Sequence, residues 1–510
     1  MTGIKHSTWK TLSAVAALAL LLPRLALGEF GVCPPYSKTF GPEDPEDEIW
    51  AFLDEIDSRP GGGTLVLEPG YYFYEPISNS GSLGIDGVVC IRSSEPDSEQ
   101  ASMYVRLSVR PGAMLTLRGV SLSAQTDVSG HRVDEGATLF ADHVGLGFQG
   151  VDETADAFLE NAGTAYLNEV TIGGDEGFSG IENTGTLVMT GGGISVWNIL
   201  SFDALRNHGY AMLDRVSIED NLSIGGSVRG IVNYAGGVLV LQNSVVADNE
   251  SAYMFCGGSD NVGIVNEAGG FVHAFSSTVA NNLNEDESCE YLPGTGIRNA
   301  GQLELENSVV TDACDPITDR GYNVGTCAAT HPTSIEGDPK LMPDEVELSG
   351  ISPAIDLIPL ERCPPTDGLG RARTDGNSDG AVACDAGARE YGYAGVEVVV
   401  RTTPYWRTVG KVDLSRTNAL FVVVMSGGPI DPTTILFDSV EVGAFPYSAL
   451  RGIAYGDKNG DGLPDYVVWY RLDKDLALEC RYYDEPFSAR TDDGQRVAGW
   501  LQFEVVGCTP

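Results

Sequence analysis

Residues 233–246 read NYAGGVLVLQNSVV, and two related segments follow, NEAGGFVHAFSSTV at 266–279 and NAGQLELENSVV at 299–310. Each segment opens on asparagine, reaches glycine within a few residues, and continues into a short run that alternates apolar with other side chains. A second short apolar run closes each segment. Turn residues followed by runs of period two are typical of β-strands joined by tight turns.

The opening asparagine recurs at intervals of 22, 24, 26, 33 and 33 residues through the middle of the chain. Gly112 and Gly136 extend the series toward the N-terminus. Two or three short strands per interval, without a helical period, predict an all-β solenoid, a parallel β-helix whose coils stack on one another. The asparagines are Asn161, Asn183, Asn207, Asn233, Asn266 and Asn299.

Stacking of the coils places equivalent residues roughly 4.8 Å apart, so we expect the asparagines to hydrogen-bond along the stack and to be structural. The last two intervals carry insertions at 251–264 and 282–297. Cys256 lies ten residues before Asn266, and Cys289 lies ten before Asn299. Stacked Cα atoms fall within the disulfide range of about 4.4–6.8 Å, which predicts a bond between these two cysteines.

The N-terminus has the features of a secretory signal peptide, which we assign to residues 1–28. A basic start precedes an apolar core at 12–22 that is too short to span a bilayer, and small residues follow. Export and an even count of 10 cysteines favour disulfides, and predict a secreted or cell-surface protein. Proximity along the chain suggests four further pairs: Cys314–Cys327, Cys363–Cys384, Cys480–Cys508 and Cys33–Cys90.

The formal net charge of −41 restricts the partners of the chain. An acidic surface repels nucleic acid and anionic membranes, and favours cations. No later stretch is long and apolar enough to predict a transmembrane segment. The sequence does not indicate an oligomeric state.

Three regions follow the signal peptide. Residues 29–60 form an N-terminal cap, because apolar residues at 49, 52, 53 and 56 make one face of a helix before the first coil. Residues 61–390 form the β-helix. Residues 391–510 form a small β-sandwich, predicted from alternating runs at 396–400, 419–425, 434–437, 466–471 and 501–506.

Several motifs occur in a recognisable order near the end of the solenoid: GYNV at 321–324, GDP at 337–339, SPAID at 352–356, GRAR at 370–373 and ACDAGARE at 383–390. This order resembles the choice-of-anchor Q domain proteins, bacterial secreted or surface-attached proteins of the pectate-lyase-like superfamily. The resemblance implies a right-handed parallel β-helix. The C-terminal region resembles accessory β-domains found at the ends of secreted bacterial proteins.

The segment DKNGDGLPD at 457–465 has the spacing of a calcium-binding loop. Side-chain oxygens fall at its first, third, fifth and ninth positions, and a backbone carbonyl at the seventh. We expect a structural calcium ion, although a solvated acidic turn is the alternative. The predicted ligands are Asp457, Asn459, Asp461, Leu463 and Asp465.

The two insertions bring aromatic and acidic side chains together on adjacent coils. Aromatic rings beside carboxylates are common where sugars or cations bind, so the insertions are a candidate ligand-binding site. Loops that are only held in place by the predicted disulfide are the alternative. The candidate residues are Tyr253, Phe255, Asp260, Glu285, Asp286, Glu287 and Tyr291.

Catalytic residues are not evident in the coils. Lysine is absent between Lys38 and Lys340, and the arginines are interpreted as out of phase with one another. We therefore expect a non-catalytic protein that binds a glycan or a surface, or mediates adhesion. The alternative is an extracellular polysaccharide-degrading lyase or hydrolase, which should show charged side chains converging in one groove. A binding protein should show a flat, uncharged or aromatic face.

Overall fold

A computed structural model describes much of the chain as two compact units. The solenoid unit comprises Met1–Pro339, Leu357–Arg373 and Ala386–Ala388, and the C-terminal unit comprises the rest. The described residues are 32–72, 82–95, 101–124, 130–149, 157–175, 179–198, 201–223, 226–251, 261–285, 291–293, 295–327, 330–341, 346–348, 352–371, 373, 383–391, 396–397, 400–402, 410–413, 419–424, 431–437, 440–442, 450–456, 464–471, 480, 482–491 and 496–506.

The first part of the solenoid unit contains β1 (Ser37–Phe40), α1 (Glu46–Ser58), β2 (Gly63–Leu67), β3 (Gly70–Tyr72), β4 (Ser82–Ile85), β5 (Val88–Ser93), β6 (Ala101–Tyr104), β7 (Arg106–Val109), β8 (Met114–Arg118), β9 (Val120–Ala124), β10 (His131–Val133), β11 (Thr138–Asp142), β12 (Gly145–Gln149), β13 (Leu159–Asn161), β14 (Thr164–Asp175), β15 (Ser179–Asn183) and β16 (Thr186–Asn198).

The later coils contain β17 (Phe202–Asn207), β18 (Tyr210–Asp214), β19 (Ser217–Glu219), β20 (Leu222–Ser223), β21 (Val228–Asn233), β22 (Val238–Gln242), β23 (Val245–Ala247), β24 (Glu250–Ser251), β25 (Val262–Asn266), β26 (Phe271–Phe275), β27 (Thr278–Ala280), β28 (Leu283–Glu285), β29 (Tyr291–Pro293), β30 (Thr295–Asn299), β31 (Gln302–Glu306), β32 (Val309–Val310), β33 (Ala313–Cys314), β34 (Thr318–Asp319), β35 (Val324–Gly325), β36 (Ile335–Glu336) and β37 (Ile358–Pro359).

The coils build two long parallel sheets, which confirms the predicted parallel β-helix. Within the described residues, a ten-stranded sheet runs in the order β33-β30-β25-β21-β17-β15-β13-β10-β7-β4. The remaining coil strands, apart from β37 and the hairpin β28–β29, form the larger sheet. A coil such as β21-β22-β23 therefore gives one strand to the ten-stranded sheet and two to the larger sheet. Parallel crossovers of this kind are right-handed.

Alternate side chains of each strand point into the solenoid. Leu239 and Leu241 of β22 are fully buried, while their neighbours Val238, Val240 and Gln242 face outward and are half-buried. The same alternation in β11, β14 and β26 joins the inward side chains into one continuous apolar core. Burial of this core is the main term that stabilises the stack.

The predicted helix is present as α1 and lies against β2 and β5. Ile49, Phe52, Leu53 and Ile56 are its buried residues, as the sequence predicted. Gly63 allows this packing, because a Cβ atom there would lie only 2.3 Å from Ile56 Cγ2. Acidic residues fill the first turn, where the helix dipole favours negative charge.

The predicted asparagine ladder is present and fully in register. Each Nδ2 donates to the Oδ1 of the next asparagine and also to backbone carbonyls. The five Nδ2-to-Oδ1 distances along Asn161, Asn183, Asn207, Asn233, Asn266 and Asn299 are 2.8, 2.8, 2.8, 2.9 and 2.8 Å. The interior amides of the column, from Asn183 to Asn266, are thereby satisfied without solvent.

A second ladder, which the sequence analysis did not predict, runs along another edge of the coils. Asn221 donates to Asn249 over 2.7 Å, Asn249 to Asn282 over 2.8 Å, and Asn282 to Asp312 over 3.0 Å. Burial raises the pKa of Asp312, although the hydrogen bonds from Asn282 oppose the shift.

The C-terminal unit is a β-sandwich, as predicted. It contains β38 (Ala383–Cys384), β39 (Val396–Glu397), β40 (Val400–Thr402), β41 (Gly410–Asp413), β42 (Ala419–Val424), β43 (Glu441–Val442), β44 (Leu450–Gly456), β45 (Asp465–Arg471), β46 (Tyr482–Arg490) and β47 (Arg496–Val506). One sheet has the order β39-β47-β46-β43 with β41 also beside β47, and the other has the order β40-β42-β45-β44. Tyr466, Tyr470, Phe487 and Phe503 lie in the shared core.

The prediction of a strand at 434–437 is wrong. Residues Pro432–Thr434 form a 3₁₀ turn instead. Asp431 caps this turn, because its Oδ1 accepts from the Thr433 backbone N–H over 2.9 Å, and Pro432 starts the turn with a suitable φ. Only Ile435 keeps β pairing, as an isolated bridge to Thr491.

Two predicted disulfides are present in the solenoid unit. Cys33 and Cys90 are bonded with a Cα–Cα distance of 5.3 Å, and Cys314 and Cys327 with a distance of 5.9 Å.

Three further cysteines are disulfide-bonded. They are Cys363, Cys384 and Cys480. The predicted bond between Cys256 and Cys289, and the partner Cys508, lie outside the described residues. No helix in the described part of the chain is both long and apolar enough to cross a membrane.

Candidate functional site

Most of the predicted insertion site lies outside the described residues. This applies to Tyr253, Phe255, Asp260, Asp286 and Glu287. The backbone of the other two candidates is described: Glu285 ends β28 and lies opposite Tyr291, which begins the antiparallel strand β29. The second insertion therefore contains a β-hairpin.

The predicted calcium loop connects two antiparallel strands. Asp457, Asn459, Asp461 and Leu463 lie outside the described residues. Asp465 is fully buried at the start of β45, opposite Gly456 at the end of β44. β44 and β45 are consecutive antiparallel strands, and residues 457–464 lie between them in the chain. Within the described residues, no three His, Cys, Asp or Glu side chains are grouped so as to hold a metal ion.

The outer face of the larger sheet carries an aromatic surface. Parallel register places six outward side chains in one column across β11, β14, β16, β18, β22 and β26. Tyr210, Phe271 and Phe275 flank the column on the same strands. We call these residues the aromatic face; its column is Phe140, Tyr166, Val188, Met212, Val240 and His273.

Rings of the aromatic face stack between coils. Phe140 and Tyr166 lie 5.1 Å apart between ring centroids, with an angle of 8° between their planes. Val188 and Met212 continue the apolar column and are 7% and 4% exposed. Burial raises the pKa of Tyr210 and lowers the pKa of His273, so both are neutral near pH 7. The column itself is uncharged until Glu304, which follows His273 in register. Asp142 and Asp214 lie beside the column, in the register of Phe275.

A trough lined mainly by small residues lies on the second strand of the same coils. Ser121, Gly145, Thr171, Gly193 and Ser217 are in register along it. A Cβ atom on Gly145 would lie 2.8 Å from Ser121 Oγ, so the missing side chain keeps the trough open. The trough has a volume of about 390 Å³ and includes two carboxylate residues, Glu219 and Asp220.

A third surface lies on the ten-stranded sheet, where four charged residues share one register. Arg132, Glu160, Glu182 and Arg206 follow one another on β10, β13, β15 and β17. Together with Asn161 they line a groove of about 390 Å³, which we call the charged groove. The interpretation of the arginines as out of phase is therefore wrong for Arg132, Arg206 and Arg298, because the unequal coil lengths hid their common register.

The arginines of the charged groove make short contacts to aspartates and longer contacts to glutamates. Arg132 Nε lies 2.5 Å from Asp134, and Arg206 Nε lies 2.7 Å from the fully buried Asp203. Burial opposes the charge of Arg206, but the hydrogen bond to Asp203 and the attraction of Asp203 and Glu182 together outweigh burial and raise the pKa.

The contacts from these arginines to the glutamates are longer. Arg132 Nη1 lies 3.9 Å from Glu160, and Arg206 Nη1 lies 3.8 Å from Glu182. Both distances exceed the range of a hydrogen bond.

Two rings border the charged groove. His208 and Tyr234 directly follow ladder asparagines on neighbouring coils, and their centroids lie 4.0 Å apart with an interplanar angle of 5°. His208 Nε2 lies 2.9 Å from Glu182 Oε1, which links the ring pair to the groove. Burial raises the pKa of Tyr234.

Comparison with known proteins gives no match: no family model, curated protein or solved structure is significantly similar to the chain. The resemblance to choice-of-anchor Q domain proteins stays a prediction.

Proposed function

We propose that this protein is an extracellular, non-catalytic glycan-binding protein, and that the aromatic face holds the glycan. The observation that carries the proposal is the uncharged column of stacked and apolar side chains that begins at Phe140 and Tyr166. This is the type of surface expected of a binding protein rather than an enzyme.

The physical basis is stacking between rings and sugars. A pyranose ring has apolar C–H faces, and aromatic side chains provide rigid apolar area at low entropic cost. The column advances by about 4.8 Å per coil, a step similar to the length of one sugar unit in an extended chain. The net charge of −41 disfavours an acidic polysaccharide. A neutral, linear glycan fits best.

An extracellular location and the proposed family agree with this function. Disulfides occur mainly in oxidising compartments, and two pairs are placed within the solenoid unit. The motif order at 321–390 supports a relationship to choice-of-anchor Q domain proteins. We include adhesion to a glycan-bearing surface in the proposal.

We also propose that calcium stabilises the C-terminal unit at residues 457–465. Support comes from the spacing of the oxygen donors and from the position of the motif between two consecutive antiparallel strands. Asp465 is fully buried at the start of the second strand. The ion would be structural, since the sequence places no nucleophile beside the loop.

A second candidate function is polysaccharide cleavage in the trough. Glu219 and Asp220 are the observation that favours it, because both line the trough. A glycoside hydrolase needs two carboxyl groups on opposite sides of one bond. Glu219 and Asp220 are adjacent in sequence, which argues against that arrangement.

The proposed function is tested by substitutions on the aromatic face. Phe140→Ala and Tyr166→Ala should weaken retention by neutral polysaccharides in affinity electrophoresis, by at least about tenfold for the double variant. Tyr455→Ala, at an exposed tyrosine of the C-terminal unit, is the matched control and should bind normally. Unchanged binding by folded aromatic-face variants would exclude this surface.

A further inference from the structure

The uncharged surface of the larger sheet is wider than the column of the aromatic face. A second column of outward side chains lies two residues earlier on each strand, about 6.6 Å away. Its members are in register across β8, β11, β14, β16, β18, β22 and β26, and on β8 Thr116 extends the column of the aromatic face by one coil. We call the second column the flanking column: Met114, Thr138, Thr164, Thr186, Tyr210, Val238 and Phe271.

The two columns carry no charged residue over seven coils. Aspartate and glutamate make up 72 of the 510 residues, yet none of them, and no lysine or arginine, occurs among two positions on each of seven strands, 14 in all. Acidic residues begin at Glu304 on the next coil, and at Asp142 and Asp214 beside the columns. In a protein with a net charge of −41, this surface is complementary to a neutral partner rather than to an ion.

The turn side of the flanking column has a low border. On four of the seven coils the residue two positions before the flanking column is a glycine with positive φ, namely Gly112, Gly136, Gly236 and Gly269. A Cβ atom added to Gly112 or Gly236 would meet nothing within 4 Å. The described residues therefore build no wall beside these two glycines, and a broad partner can reach both columns at once.

The two columns form one long and regular surface. Their strands pair without a bulge, and ring pairs on neighbouring coils differ by only 8° and 5° in plane, so successive coils rotate little. Six steps of about 4.8 Å give a length of about 29 Å. A polysaccharide chain that lies along one column leaves the other uncovered, whereas two chains side by side cover both.

A regular surface of this shape favours an ordered ligand. A dissolved chain loses conformational freedom when it is fixed along a sheet, which offsets part of the contact energy. A chain in an ordered solid has already lost that freedom, and its neighbour lies parallel to it. The solid therefore covers both columns at a smaller entropic cost.

We propose that the aromatic face and the flanking column together bind the flat surface of an ordered, insoluble neutral polysaccharide whose chains lie side by side. The inference rests on the proposed function, in that the same surface binds a glycan, and it adds the physical state of that glycan. The apolar side chains of Val188 and Val240 pack against the C–H faces of one chain. The hydroxyl groups of Thr138, Thr164 and Thr186 exchange hydrogen bonds with the neighbouring chain.

The test compares ordered and disordered forms of the same neutral polymer. Full-length secreted protein is incubated with microcrystalline cellulose or chitin, with the amorphous form of each, and with their short soluble oligosaccharides. Binding is measured by depletion for the solids, per unit of accessible surface, and by calorimetry for the oligosaccharides. At least one crystalline form should bind about tenfold or more tightly than its amorphous and soluble forms.

Two matched substitutions locate the contact. Thr186→Arg places a long side chain at the centre of the flanking column and should weaken binding to the crystalline form by about tenfold or more, because a rigid solid cannot bend around it. Binding of soluble oligosaccharides, which need only the column of the aromatic face, should change by less than about threefold. Thr171→Arg makes the same change at an exposed residue of the trough and should bind as the wild type does. Val238→Arg replaces Thr186→Arg if thermal melting shows that variant to be unfolded.

The outcomes separate this inference from the proposed function. Equal affinity for the crystalline, amorphous and soluble forms would overturn the inference, as would equal weakening by Thr186→Arg and Thr171→Arg. Soluble neutral chains bound through Phe140 and Tyr166, without retention on either crystalline solid, would refute the inference and leave the proposed function standing. Absence of binding to every neutral polysaccharide would refute the proposed function as well.

Discussion

Asn233 donates from Nδ2 to Oδ1 of Asn266, 2.9 Å away on the next coil, although 33 residues separate the two in sequence. Asn207 donates in turn to Asn233 over 2.8 Å. The ladder therefore connects neighbouring coils through their side chains, in addition to the backbone bonds of the sheets. It also fixes the register on which the three candidate surfaces depend.

Removal of an interior rung should destabilise the solenoid strongly. Asn233→Ala deletes two ladder bonds and leaves amide groups of Asn207 and Asn266 without their partners. We expect a loss of about 3 kcal/mol in the free energy of unfolding, measured by denaturant titration. Asn299→Ala, at the last and partly exposed rung, deletes one ladder bond and should cost about 1 kcal/mol. Similar losses in both variants would contradict the role of the ladder.

His131 should make the solenoid sensitive to acid. Burial, followed by the charge of Arg106, lowers its pKa from 6.5 to about 4. The unfolded chain therefore binds a proton more readily, so the contribution to stability is complete above pH 6.5 and decreases as the pH falls toward 4. The loss should reach roughly 3 kcal/mol.

The control for this prediction is His131→Gln, which does not titrate and keeps an acceptor for the Leu107 N–H. Melting temperatures of this variant should depend less on pH between 6.5 and 4 than those of the wild type. Parallel pH profiles for the two proteins would show that His131 is not responsible.

Asp319 should also make the solenoid less stable in acid, but here the folded state favours the charged form of the side chain. Burial disfavours its charge, but hydrogen bonds from the His331 N–H, Ser334, Asn323 and the Gly321 N–H outweigh burial and lower the pKa. Its contribution is therefore present above the pKa of the unfolded chain, and is lost as the pH falls through the lower pKa of the folded state. Asp319→Asn should lower the melting temperature at pH 7 more than at pH 3. An equal decrease at both pH values would contradict this.

The predicted bond between Cys256 and Cys289 has a direct chemical test. Proteolysis without reduction should release one cross-linked peptide pair that contains both cysteines, identified by mass spectrometry. The pairs Cys33–Cys90 and Cys314–Cys327 provide positive controls in the same digest. Recovery of Cys256 joined to any other cysteine would refute the prediction.

Calcium removal should affect the C-terminal unit. A chelator should lower its melting temperature, and added calcium should restore it, because the ion binds only the folded loop. Asp461→Asn weakens the predicted donor set and should reduce the response to calcium. An unchanged melting temperature in chelator would argue against a stabilising ion.

The sequence predicted the parts of the fold that repeat visibly. Each ladder asparagine precedes a glycine turn, so the asparagines are easily aligned with one another in the sequence. That alignment predicted the coil boundaries and the ladder. Asn221, Asn249 and Asn282 form a second ladder but are not followed by a glycine turn, so their periodicity was not recognised. In the last coil Asp312 takes the place of asparagine, which further obscures that pattern.

The candidate surfaces were less predictable, because they depend on register between distant residues. The stacking of Phe140 on Tyr166 can be predicted only if the length of this coil, 26 residues, is already known. Arg132 and Arg206 share one register, although three coil steps of 28, 22 and 24 residues separate them. The 3₁₀ turn at Pro432–Thr434 was missed because local capping by Asp431 outweighed the strand propensity of the residues that follow.

The most direct test of the account measures retention and cleavage of the same polysaccharides. Purified protein is incubated with a panel of neutral, acidic and amine-bearing polysaccharides, and bound protein and released products are measured together. We predict retention on at least one neutral polysaccharide, dependent on Phe140 and Tyr166, with the polysaccharide recovered at its original length. Release of reducing ends or of unsaturated products would contradict the assignment as a binding protein and favour an enzyme.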